Sequence, residues 1–213
     1  MAEKGDEALQ GGCACGAVRY RMTTRPMFVH CCHCRWCQRE TGASFALNAM
    51  IEADRVVLLR GAPDTVNTPS ASGKGQKIVR CPTCRVALWS HYAGAGDAIC
   101  FMRVGTLDNP DLLPPDIHIF TSSKQPWVIL PPDVPAVPEY YRRDDYWPEE
   151  SLARRRALRG RRPAGDTTAR KRYHSLSDVE RKAAASDATE AMRRARDRRH
   201  DGCGEGSGHR LVG

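Results

Sequence analysis

Apolar residues fall in short runs separated by turn formers. Gly11 to Tyr20 alternates small or apolar residues with polar ones at period two, which predicts a strand entered through a glycine turn. Met27–Cys31, Ala46–Ile51, Arg55–Gly61, Lys77–Cys81, Val86–Tyr92 and Ala98–Leu107 read as further strands, followed by Asp116–Ser123 and Pro126–Leu130. Between them, His33–Ser44 is too polar and turn-rich for a strand and reads as a knuckle and loop, with Gly42 free to take positive φ. Val66–Lys77 reads as a Ser/Gly/Thr surface loop. Many short strands with turns between them predict a mainly β domain.

The pattern changes at Pro131. Pro131–Tyr141 is proline-rich and extended, and Ser151–Arg162 suits a short basic helix. Beyond it the chain has almost no large apolar residues to offset its ordering entropy, which predicts a disordered or marginally helical stretch. Charge follows the same division. Residues 1–150 hold 16 basic and 17 acidic side chains, and residues 151–213 hold 17 and 8, so the net charge of +8 arises in the last third. We divide the chain into a leader (1–10), a central domain (11–145) and a basic extension (146–213). A nucleic-acid partner is expected at most through that extension, whose basic run from residue 151 onward mixes arginines with aspartates and carries Tyr173 as its one aromatic residue. No run is long and apolar enough for a membrane helix, and the acidic, polar start has no secretory pattern, so a cytoplasmic location with reduced thiols is expected.

Nine of the ten cysteines lie between positions 13 and 100. Seven form three groups: Cys13-x-Cys15, Cys32-x-Cys34-x-x-Cys37 and Cys81-x-x-Cys84. On a strand, residues i and i+2 share a face, and across a tight turn i and i+3 come within about 7 Å, so each spacing can aim sulfurs at one point. Pro82 pre-sets the second turn. Two such pairs close a tetrahedral zinc site, whereas a triple leaves one position open, the pattern of a catalytic ion; a purely structural second ion is the alternative.

Five segments taken together, GGCACGAVRY, CHCRWCQRETGAS, CPTC, VGTLDNP and HIFTSSKQPWV, resemble the glutathione-dependent formaldehyde-activating enzyme family, which includes centromere protein V. The resemblance spans Gly11 to Tyr141. It implies several small coiled antiparallel sheets around zinc, two ions per chain, and no other cofactor. It assigns Cys13, Cys15, Cys81 and Cys84 to a structural zinc and Cys32, Cys34 and Cys37 to a catalytic one. It implies carbon–sulfur lyase activity on S-hydroxymethylglutathione or a similar thiol–aldehyde adduct, with a small thiol such as glutathione as partner. A non-catalytic zinc-stabilised binding module, with a protein or nucleic-acid partner, is the other reading. The sequence leaves the oligomeric state open.

Two positions depart from the family pattern. Arg85 stands after the second CxxC where the family carries glycine, and Cys31 precedes the triple. Cys31 is expected to point away from Cys32, because neighbours alternate in an extended segment. His33 is expected to be solvated or to sit behind the ligands. His30, His91 and His118 read as satisfied core or surface residues, Cys100 as core and Cys203 as a bystander. Trp89 and Trp127 read as core. Arg35, Arg39 and Lys124 are candidates for the carboxylates of glutathione, against the simpler reading of solvated surface cations.

Overall fold

The computed structural model describes residues 9–70 and 72–160. It is mainly β, as the runs predict. Its ten strands are β1 (Leu9–Gly12), β2 (Arg19–Met22), β3 (Phe28–Cys32), β4 (Ala46–Glu52), β5 (Val56–Arg60), β6 (Asp64–Thr68), β7 (Gln76–Arg80), β8 (Ala87–Tyr92), β9 (Ile99–Arg103) and β10 (Ile117–Ile119); the helices are α1 (Arg35–Thr41) and α2 (Glu149–Gly160).

The expectation of several small antiparallel sheets holds in part. Among the described residues there are two sheets: a three-stranded one, β1-β2-β5, and a seven-stranded one in the order β10-β3-β4-β9-β8-β7-β6. The larger is mixed, because β10 lies parallel to β3. A parallel pair cannot be joined by a hairpin, and here most of the domain forms the crossover between its two strands.

Apolar residues on alternate positions of the large sheet feed two cores. Val29, Ala49, Trp89 and Met102 face one side and pack with Tyr20 and Met22 of the small sheet. Phe28, Met50, Ile99, Ile117 and Ile119 face the other and pack with Trp147. β4 sits between β3 and β9 and is buried along nearly its whole length.

Several boundaries differ from the sequence reading. Gly11–Tyr20 is not one strand: β1 and β2 form a hairpin, and Cys13 to Val18 make its connection, closed by Cys13 N–H to the Val18 carbonyl at 3.1 Å. Gly11 is required here, since a Cβ would meet the Thr106 carbonyl oxygen at 2.4 Å. The knuckle contains α1, and Gly42 caps it at φ 67°. Part of the expected Ser/Gly loop is edge strand β6. Pro126–Leu130 is no strand; Val128 N–H closes a turn onto the Gln125 carbonyl, and Trp127 is 69 % exposed, not core. Trp89 is buried as expected.

The predicted basic helix is α2, and it packs on the β body. Trp147 stacks on Phe28 at 5.2 Å between centroids, Ser151 Oγ donates to the Met27 carbonyl at 2.6 Å, and Arg154 donates to both oxygens of Glu52 at 2.8 and 2.6 Å. Burial raises the Glu52 pKa, but the Arg154 bonds oppose it and win, so the carboxyl titrates below its ordinary value. Its contribution to stability is therefore complete above about pH 4.3 and is lost as pH falls through the lower folded value. Glu52→Gln is expected to cost about 2 kcal/mol at neutral pH and to flatten this acid limb; urea midpoints across pH check it. The expectation of a disordered tail falls on residues outside the described ones.

Candidate metal centres

Three groups of metal-ligating side chains occur among the described residues, each with its donor atoms within 4.8 Å of one another. Cys13 and Cys15 come from the β1–β2 connection, and Cys81 and Cys84 from the β7–β8 turn. Sulfur separations of 3.5 Å (Cys13–Cys15) and 3.7 Å (Cys15–Cys81) compare with about 3.8 Å between sulfurs held at 2.3 Å on a tetrahedral ion. Val18 N–H donates to the Cys13 sulfur at 3.3 Å, which favours the thiolate there, and Thr83 N–H donates to the Cys81 sulfur at 3.4 Å. The Val86 and Cys15 N–H groups push the Cys84 thiol down to about 6. Four sulfurs converging from chain segments 66 residues apart can hold a divalent cation such as zinc.

Arg85 resolves its own departure. It adopts φ 61°, the left-handed conformation that glycine takes without cost, and its N–H closes the turn on the Cys81 carbonyl at 3.1 Å. Its guanidinium bonds Asp64 at 2.9 Å.

The second group sits at the entry to α1. Cys32 ends β3, Cys34 is the N-cap residue, and Cys37 lies one turn on; the Cys34 sulfur accepts the Cys37 N–H at 3.3 Å. Cys32 and Cys37 are buried and Cys34 is half-buried. The neighbouring thiols of Cys32 and Cys37 push the Cys34 thiol down, and the same contacts together with burial push Cys32 up. Three thiols in this arrangement can hold a metal ion, and no fourth Cys, His or carboxylate joins them among the described residues.

Cys31 does not join them. It groups with His33 and His118, apart from Cys32. The expected solvated His33 is wrong: it is 0 % exposed, because it lies where β3 passes beside β10. Cys100 is core, and Cys203 falls outside the described residues. Of the proposed carboxylate binders, Lys124 is engaged by the Gln125 and Val128 carbonyls and Arg35 by Gln38, while Arg39 is exposed.

A cleft of about 590 Å³ adjoins α1, lined by Glu40, Thr41, Ala46, Cys84, Arg80 and Arg103 among others. Arg103 is buried and donates to Asn48 Oδ1 at 2.6 Å and Ser90 Oγ at 3.4 Å; its charge also bears on Cys37. Arg80 pairs with Glu40. The sequence reading missed Arg103, though a lone arginine inside the apolar run Ala98–Leu107 was the available signal.

The family described as glutathione-dependent formaldehyde-activating enzyme matches residues 8–123, which include every described strand and the three groups found among the described residues. The chain belongs to this family. A Halomonas elongata protein named provisionally as a glutathione-dependent formaldehyde-activating enzyme is 28 % identical over 127 residues, covering 56 % of this chain and 79 % of its own. A solved Rhodobacter sphaeroides protein aligns over 60 % of this chain and 99 % of its own, at 20 % identity and a TM-score of 0.37. α2 lies beyond the segment that matches the glutathione-dependent formaldehyde-activating family, yet packs on it through Ser151 and Arg154.

Proposed function

We propose that the chain is a zinc-dependent carbon–sulfur lyase that forms or cleaves S-hydroxymethylglutathione. The observation that carries this reading is the triple Cys32, Cys34, Cys37, convergent and three-membered, with Cys34 half-buried and the other two buried. Cys13, Cys15, Cys81 and Cys84 would hold one zinc ion as a closed cross-link, and the triple a second with one exchangeable position. Bound there, zinc lowers the pKa of a coordinated thiol and holds it as a thiolate.

The residues of this chain do the rest. With a divalent ion held by Cys32, Cys34 and Cys37, the three thiolates would give a net negative centre, chemistry suited to delivering a thiolate more than to polarising a carbonyl. Arg103, held by Asn48 and Ser90, places a fixed positive charge near Cys37 and in the cleft wall, where it suits a carboxylate of a tripeptide. In the forward direction the thiol sulfur bonds the formaldehyde carbon, the C=O π pair moves to oxygen, and that oxygen takes the proton the thiol gave up. No oxidant or reductant is needed. No described helix is long and apolar enough to cross a membrane, and we place the activity in the cytoplasm, where glutathione is a reduced thiol.

Exchange NMR on mixed formaldehyde and glutathione tests the reading. The zinc-loaded protein is expected to speed interconversion of the free and adduct resonances. A rate equal to the protein-free mixture would reject the named activity.

A further inference from the structure

The third group has no part in that chemistry. Cys31 lies on β3, His33 one residue past its end, and His118 on β10 directly beside Cys31. Because alternate residues share a face, Cys31 and His33 turn to one side of the strand while Cys32 turns to the other. The parallel register then brings His118 in from the neighbouring strand.

The three side chains are 2 %, 0 % and 5 % exposed. His33 Nε2 lies 3.5 Å from the Cys31 sulfur and 3.0 Å from His118 Nδ1. For ligands at 2.3 Å (sulfur) and about 2.05 Å (nitrogen) on a tetrahedral ion, the corresponding edges are about 3.6 and 3.4 Å. Small ring rotations span the difference. The backbone around the group is fixed: His33 N–H donates to the Ile119 carbonyl, and the His33 carbonyl accepts from Gln38 Nε2 and Ser123 Oγ. Phe45 packs edge-on against the His33 ring at 5.5 Å.

The far nitrogens, His33 Nδ1 and His118 Nε2, are buried and have no hydrogen-bond partner among the described residues. No carbonyl or carboxylate therefore anchors either ring from outside. With His33 Nε2 and His118 Nδ1 given to a cation, each neutral ring would carry its proton on that far nitrogen. One thiol and two imidazoles is a borderline-soft donor set, suited to zinc-class cations and poor for magnesium or calcium.

We propose that Cys31, His33 and His118 form a further metal site for a zinc-class divalent cation, clamping β10 to β3. The site is independent of the lyase reading, since its ligands and its face of the sheet are separate from the Cys32, Cys34 and Cys37 group.

Metal content tests it without reference to activity. The full chain, loaded with Zn²⁺ and freed of excess by gel filtration, is counted by plasma mass spectrometry beside Cys31→Ala and His118→Gln. Each variant with an intact cooperative melt is expected to carry one equivalent less than wild type. Equal content in wild type and a folded variant would overturn the site. If neither variant folds, zinc-edge X-ray absorption of the loaded wild-type protein decides: imidazole outer-shell scattering supports the site, and sulfur-only scattering overturns it.

Discussion

Cys34→Ala is expected to reduce formaldehyde–glutathione exchange by at least about 100-fold while leaving a folded protein. Partners one shell behind a metal ligand already carry 10–100-fold effects, and a direct ligand carries no less. The structural cost is small for a definable reason. Cys34 is half-buried, and its one visible local duty is to cap α1 by accepting the Cys37 N–H. Losing a cap costs about 1 kcal/mol, or a drop of roughly 2–4 °C in melting temperature for a chain of this size. Cys34→Ser separates the two roles, because a hydroxyl restores the cap but is a poor zinc ligand. The serine variant should regain the melting temperature and not the exchange rate. Full exchange activity in either variant would remove Cys34 from the chemistry.

Cys15→Ala is expected to destabilise the fold about as much as Cys81→Ala, by at least about 3 kcal/mol, because binding energy at a structural zinc is folding energy. The comparison is informative because the two residues differ so sharply in burial. Cys81 is fully buried, and Cys15 is exposed. On packing grounds alone, an exposed truncation should cost within about 0.5 kcal/mol. Their sulfurs lie 3.7 Å apart and join the β1–β2 connection to the β7–β8 turn. If that junction is a metal cross-link, exposure ceases to matter. Urea midpoints of the two variants decide it, and a near-neutral Cys15→Ala would mean that the junction is packing only.

The strands were legible because short apolar runs between turn residues have few other solutions in a β domain. The grouping of Cys13 with Cys81 was legible only through resemblance, since spacing says which sulfurs can converge locally and not which turns meet across 66 residues. Cys13 and Cys15 illustrate the limit. Period-two alternation placed them on a strand, yet Gly16 at φ 71° lets the chain turn back, and they meet in a hairpin connection. Pro126–Leu130 has strand-like residues, but its backbone closes a turn, and Ile129 stays 92 % exposed. His118 looked like ordinary core because its partners come through the parallel β3–β10 register, a non-local fact. Arg85 could be flagged from sequence, whereas only the fold shows that it takes the left-handed turn directly.

The most direct test of the central claim, that the thiolate groups differ in kind, is graded chelation of the zinc-loaded protein. Metal content, exchange rate and the cooperative melt are followed on the same samples. Exchange activity is expected to disappear with the first metal lost, while the melt stays within a few degrees of its starting point, and the fold is expected to fail only when the last equivalent leaves. Activity and fold lost together in a single step, or activity that outlasts the fold's metal, would contradict the division into an open centre at Cys32, Cys34 and Cys37 and a closed one at Cys13, Cys15, Cys81 and Cys84.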